Sequence, residues 1–224
     1  MQTAAHEQGT KEGKITALRA LLAEKFPQSA LRAGGVLPAA LGTGLPELRR
    51  GVVTEVSGSI GSGALFLEAL LASAQAEGTL VALVDGQRGF DPAAMGGRLA
   101  RLLWVLCPDA ATAVKAADLL LRDGNLPLVV LDLQLNPARD LRRIPATTWY
   151  RFQRILEPSA SAFVVLTADP LVSSAAERFA LRNRWTLRAM QQRRTELKLV
   201  VECAHRRIAG GNASAFAPEE RQIA

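Results

Sequence analysis

Apolar positions recur in two rhythms along this chain. Between Ile15 and Phe26 they fall at Ile15, Leu18, Leu22 and Phe26, on one face of a helix. Leu21 widens that stripe, and Pro27 stops the helix. Residues 1–13 read as a flexible leader, and Gly34, Gly35 and Pro38 mark a linker. From Val52 onward the rhythm changes. Short apolar or β-branched runs at Val52–Ser57, Leu80–Asp85, Leu102–Leu106, Leu128–Asp132 and Ala162–Thr167 predict five buried strands. The stretches Leu65–Ala76, Asp91–Leu99, Asp109–Arg122 and Thr147–Leu156 predict helices between them. Apolar strands alternating with helices predict an α/β fold, a mainly parallel central sheet flanked by helices. Arg184–Met190 and Glu196–Arg206 read as two further strands, an antiparallel edge hairpin with Arg193 and Arg194 in its turn. The expected organisation is leader, amphipathic helix and linker over 1–44, a core over 45–208 and a disordered tail over 209–224.

Composition narrows the class. With 224 residues, 49% of them apolar, the chain can bury a full core. No apolar run approaches the ~20 residues of a membrane span, and the polar N-terminus lacks a signal-peptide apolar region. Cys107 and Cys203 are too few and too far apart for a disulfide framework or a zinc site, and both read as buried free thiols. No metal site is expected. His6 and His205 assemble no catalytic group. The expectation is a soluble cytoplasmic protein.

The charge is unevenly placed. Residues 1–138 hold 12 Lys/Arg against 13 Asp/Glu, whereas residues 139–224 hold 15 against 8, giving −1 and +7 of the total +6. A basic half rich in arginine points to a polyanion or an acidic protein partner, or else to a solvated surface.

One segment carries recognisable chemistry. Gly58-Ser59-Ile60-Gly61-Ser62-Gly63-Ala64-Leu65 follows the first core strand and has the spacing of the phosphate loop G-x-x-x-x-G-K-[ST]. The lysine position is Ala64 and the hydroxyl position is Leu65. Neither can neutralise phosphate or hold Mg²⁺, although backbone amides at a helix start can still hold an anion weakly. The expectation is a loop kept for its tight turn, with no cofactor. Asp132 ends its apolar strand as a Walker-B aspartate would.

These residues resemble the RecA-like recombinase fold and, more closely, the ImuA proteins of bacterial mutasome operons. The resemblance runs in collinear order over roughly residues 15–190, through LRALLAEKFP, LGTGLPELRRGVVTEVSGSIGSG, LVALVDGQRGFDP, WVLCPDAATAVKAADLLLRDGNLPLVVLDL, TTWYRFQRILE and FVVLTADPLVSSAA. In RecA-like recombinases a glutamate after the second strand activates the attacking water, and the matching position here is Gln87. A neutral amide cannot accept that proton. With Ala64 and Leu65, this makes three altered catalytic positions, and the expectation is that the chain is not an enzyme. The resemblance implies an accessory protein of translesion synthesis and damage-induced mutagenesis. Its implied partners are an inactive Y-family polymerase homologue of the ImuB type and an error-prone DnaE-type polymerase. RecA, single-stranded DNA and a second copy are further candidates.

In the RecA-like fold the loops after the fourth and fifth strands line the DNA side. Here they carry Arg139, Arg142 and Arg143, and Arg178, Arg182 and Arg184 beside Trp185, with Arg193 and Arg194 beyond. Arginine on phosphate plus a stacking aromatic suits single-strand binding. The helix face of Leu18, Leu22 and Phe26 is the expected partner or self-association surface. Two alternatives stay open: a nucleotide switch or ATPase with a non-standard loop, for which Arg88 is the substitute cation, and a SulA-like cell-division inhibitor.

Overall fold

The computed structural model describes residues 36–37, 45–95, 99–192 and 196–207. The chain divides into residues 1–31 and 32–224, and the described residues all belong to the second unit. The expected partner helix with Leu18, Leu22 and Phe26, Arg193 and Arg194, and the tail over 209–224 lie outside the described residues.

In chain order the strands are β1 (Val36–Leu37), β2 (Leu48–Arg49), β3 (Val53–Ser57), β4 (Val81–Asp85), β5 (Leu102–Leu106), β6 (Leu128–Asp132), β7 (Ala162–Thr167), β8 (Glu177–Leu181) and β9 (Val201–Arg206). The helices are α1 (Ile60–Ala76), α2 (Ala110–Asp123), α3 (Ala138–Leu141), α4 (Ala146–Leu156) and α5 (Leu187–Met190). Strands β1 and β2 form a small antiparallel pair, and the other seven make one sheet in the order β5-β4-β6-β7-β3-β8-β9. All neighbours in it are parallel except β8 and β9. The expected α/β fold is therefore present, with an antiparallel strand at one edge.

Both faces of the sheet are covered, which is why β4, β6 and β7 are near-continuous apolar runs rather than alternating ones. Ala82, Val84, Val129, Leu131, Phe163 and Val165 pack with Ala113, Ala117 and Leu121 of α2 and with Trp149, Phe152 and Leu156 of α4. Leu83, Val130, Val164 and Leu166 pack on the other face against Phe66, Leu67, Leu70 and Leu71 of α1. The Trp149, Phe152 and Phe163 rings meet edge to face at 5.9 and 5.4 Å. Such pairs add about 0.5–1.5 kcal/mol each beyond their buried area.

Local signals set the helix ends. Asp109 accepts the Thr112 N–H at 2.7 Å and starts α2. Gly124 ends it at φ 68°, a left-handed position with open space around it. Pro145 precedes the first residue of α4.

The structure departs from the expected elements in four places. Helix α1 begins at Ile60, five residues before Leu65. The region Asp91–Leu99 yields only a 3₁₀ turn, Pro92–Met95. Arg184–Met190 is not a strand and ends in the short helix α5. The strand pairing with β9 is instead Glu177–Leu181, a segment read as loop because it opens on two charged residues. Cys107 is buried as expected, but Cys203 on β9 is exposed.

Candidate functional site

The phosphate-loop segment joins β3 to α1. Gly58 donates its N–H to the Thr167 carbonyl at 3.1 Å, and Gly63 donates to Ser59 at 2.9 Å. With helix already formed at Ile60, Gly61, Ser62 and Gly63 lie in the first turn of α1 instead of in a wide loop. The amides of Gly63 and beyond thus turn toward the helix's own carbonyls. A Cβ built on Gly58 would approach the Leu181 Cβ to 2.7 Å, so glycine is required there by the close passage of β8.

Two side chains cover this turn. The Trp185 indole N–H lies 3.2 Å from both the Ser59 and Ser62 hydroxyls, which lie 2.8 Å from each other. Its ring would stand 3.2 Å from a Cβ on Gly61. Gln134, in the loop after β6, reaches the Gly58 carbonyl at 3.3 Å, and its amide oxygen would stand 1.9 Å from a Cβ on Gly63.

The acidic positions sit at adjacent strand ends, where Asp85 of β4 and Asp132 of β6 are register partners. Asp85 accepts N–H bonds from Gln87, Gly89 and Phe90 at 3.2, 2.9 and 3.1 Å, and from the Trp104 indole at 3.3 Å. Asp132 accepts one backbone N–H, from Gln134 at 3.0 Å. Burial pushes its carboxyl up to about 6; the Gln134 N–H works against this and the Asp85 charge adds to it. Gln87 points its amide oxygen at Asn136, whose NH₂ also bonds the Gly86 carbonyl at 2.8 Å and so ties the β4 and β6 loops together. Ala64 and Asp132 line one cavity of about 170 Å³ between these loops and α1.

The arginines divide into three groups. Arg139, Arg142 and Arg143 are exposed on and after α3, with Asp140 at 3.8 Å from Arg139 and 3.7 Å from Arg143. Arg182 and Arg184 are exposed past β8, where Arg182 pairs with Glu202 at 2.6 Å. Arg178 is not on a loop. It lies on β8, with Nε 3.0 Å from the buried Glu55 carboxylate and a terminal nitrogen on the Val172 carbonyl at 2.6 Å.

Sequence reasoning missed Glu55 and Glu177, both fully buried on β3 and β8. Glu177 is answered by Arg206 at 3.0 Å and Arg49 at 3.5 Å. The one sequence signal was for Glu55, a charged residue in the middle of the β-branched strand VTEVS.

No protein-family model matches the chain. It is 34% identical over 139 residues to Protein RecA of Clavibacter michiganensis, covering 59% of this chain and 37% of that protein. It is 36% identical over 138 residues to Protein RecA of Cutibacterium acnes, covering 59% and 39%. Over that stretch the chain is similar in sequence to RecA. The chain spans less than two fifths of the length of these relatives. Among solved structures, the RadB recombinase is similar at 18% identity and a TM-score of 0.48, over 62% of this chain and 78% of that one.

These relatives correct one expectation. Ala64, Leu65 and Gln87 replace catalytic types and by themselves point away from an enzyme, yet the proteins the chain matches are named RecA. A relationship to that family removes the ground for classing it outside the enzymes. Among the described residues no helix is long and apolar enough to cross a membrane.

Proposed function

We propose that this RecA-like chain is an accessory protein of error-prone translesion DNA synthesis, of the ImuA type, acting in the cytoplasm. It works by contact with an ImuB-type inactive Y-family polymerase and an error-prone DnaE-type polymerase. The observation that supports this most is the α1 start. A RecA-like core keeps the loop spacing, but Ala64 stands at the lysine position and the turn is wound into helix under Trp185 and Gln134. Arginine surfaces remain as the most distinctive chemistry. Helix α4 fits this reading, because it buries Trp149 and Phe152 and presents Tyr150, Arg151 and Arg154 outward.

Co-purification of the full chain with an ImuB-type partner tests the proposal. Capture that falls at least tenfold in the Arg139→Ala/Arg142→Ala/Arg143→Ala variant is the expected result. No capture by the wild-type chain overturns it. A DNA contact by the same arginines would show as single-strand binding that weakens steeply with salt, with a shallower slope in the triple variant.

A second reading, nucleotide binding or hydrolysis, is supported by the relationship to RecA and by the retained Asp132. Calorimetry with ATP, with and without Mg²⁺, separates the two. Micromolar, Mg²⁺-dependent binding favours the nucleotide reading, and no heat at millimolar nucleotide removes it.

A further inference from the structure

We infer that the outward face of α2 and α4 is the docking surface for an acidic segment of the partner protein, one that carries apolar side chains among its carboxylates. This rests on the reading of the chain as an accessory that works by contact with an ImuB-type partner. The two helices pack against each other and bury Ala113, Ala117 and Leu121 of α2 and Trp149, Phe152 and Leu156 of α4. Their other faces look outward. On α2, Lys115, Leu119 and Arg122 follow at steps of four and three, and all are exposed. On α4, Thr147, Tyr150 and Arg154 follow at steps of three and four, with Arg151 beside them, and all are exposed. Residues at such steps share one helix face.

Asp118 ties the two faces into one. It pairs with Arg122 of its own helix at 2.8 Å and with Arg151 of α4 at 2.9 Å. Leu119 and Tyr150 are the chain neighbours of the two ends of that interhelical bridge. Both guanidiniums stay about half exposed. A guanidinium has several N–H donors, so each can meet a second carboxylate while Asp118 holds it. Arginines already held lose less freedom on binding than free ones would. Lys115 and Arg154 have no ion-pair partner among the described residues.

The charge selects the partner. Lys115, Arg122, Arg151 and Arg154 stand on this face against Asp118, which two of them share. The other acids lie at the helix ends: Asp109 caps α2, Asp123 bonds Asn125 at 2.8 Å, and Glu157 follows α4. Helix α3 packs against α2 as well, which brings the exposed Arg139, Arg142 and Arg143 alongside. A second copy of the same face would bring cations against cations, whereas a partner's carboxylates complement them. The apolar pair selects protein over nucleic acid. Leu119 is 63% exposed and Tyr150 is 54% exposed. A phosphate backbone gains nothing from an exposed leucine. An apolar side chain seated on Leu119 and Tyr150 takes both from water and leaves the cations at the rim, as in protein interfaces. Tyrosine and arginine are also the types on which interface energy concentrates.

The test is co-purification of the full chain with the ImuB-type partner, repeated with variants on this face. Leu119→Glu and Tyr150→Glu set a carboxylate against the acidic segment at positions that the fold leaves in water. Each should melt as wild type does and lose about tenfold or more in capture. Lys115→Glu/Arg154→Glu should lose as much, and capture of the wild type should weaken as salt rises. Capture of the wild type that none of these variants reduces overturns the inference and leaves the proposed function standing. No capture of the wild type overturns both. Variants that hold the partner as wild type does but lose single-stranded DNA assign the face to nucleic acid. A wild-type dimer that the variants dissociate, with capture unchanged, assigns it to a second copy. Either result overturns the inference.

Discussion

Two regions of the sheet bury acids in opposite ways. At the β3–β8–β9 seam, Glu55 and Glu177 are enclosed and each is met by arginine, Glu55 also by the N–H groups of Leu171 and Val172. At the β4–β6 ends no arginine among the described residues pairs with the acids. Asp85 is met by the chain's own amides, and Asp132 by one of them. A buried carboxylate stays ionised only where donors or cations replace water, and its proton affinity rises where they do not. The seam is thus locked by charge, whereas the strand ends hold charge in reserve beside a cavity. The first arrangement suits a structural joint, and the second makes the strand ends sensitive to pH.

The largest expected effect breaks the seam. Arg178→Ala leaves Glu55 buried without its cation and should cost about 3–5 kcal/mol in urea unfolding. Adding Glu55→Gln should recover much of that, and a double variant no more stable than the single one would show that the arginine acts only through packing.

The next tests the strand ends through pH. Asp132 has a folded pKa raised to about 6 from the 3.8 of an ordinary aspartate, so between these values the folded state holds more protons than the unfolded one. Stability should therefore fall as pH rises from about 4 to 6, by up to about 3 kcal/mol, and the loss persists at pH 7. Asp132→Asn should abolish that slope and stabilise the protein at pH 7, with no gain at pH 4. An identical slope in the variant would assign the titration to another group.

A smaller effect sharpens the contrast within the strand ends. Asp85→Asn presents an NH₂ where three N–H donors converge, and about 1–3 kcal/mol should be lost at pH 7. The smallest concerns the cover of α1. Trp185→Phe keeps a ring over Gly61 but removes the hydrogen bonds to Ser59 and Ser62, for a loss of about 0.5–1.5 kcal/mol by thermal unfolding.

The interior strands β4, β6 and β7 were legible because a strand buried on both faces leaves a near-unbroken apolar run, as LVVLD and AFVVLT do. Helix α2 was legible from its Asp109 cap and its periodic apolar face. Strand β8 was not, because Glu177 and Arg178 read as surface residues, and their partners Arg206 and Glu55 lie on other strands. The early start of α1 escaped notice for a similar reason. Glycine and serine at 61–63 have the composition of a loop, and it is packing by Trp185 and Gln134 that holds them helical. The cavity had no local signature, since its lining comes from α1 and from the loops after β4 and β6, far apart in the chain.

The position of β3 has a consequence for how the protein is made. It is the first strand of the main sheet to be synthesised, yet both its neighbours come late, with Val53 beside Phe163 and Thr54 beside Glu177, 123 residues on. At about 5–20 residues per second, a ribosome takes roughly 6–25 s to cover that distance. Until β7 is made, late in that interval, VTEVS waits with both edges unpaired. The nascent chain is therefore a client for any chaperone that shields exposed strand edges, and its yield on expression should respond to such chaperones more than its final stability does.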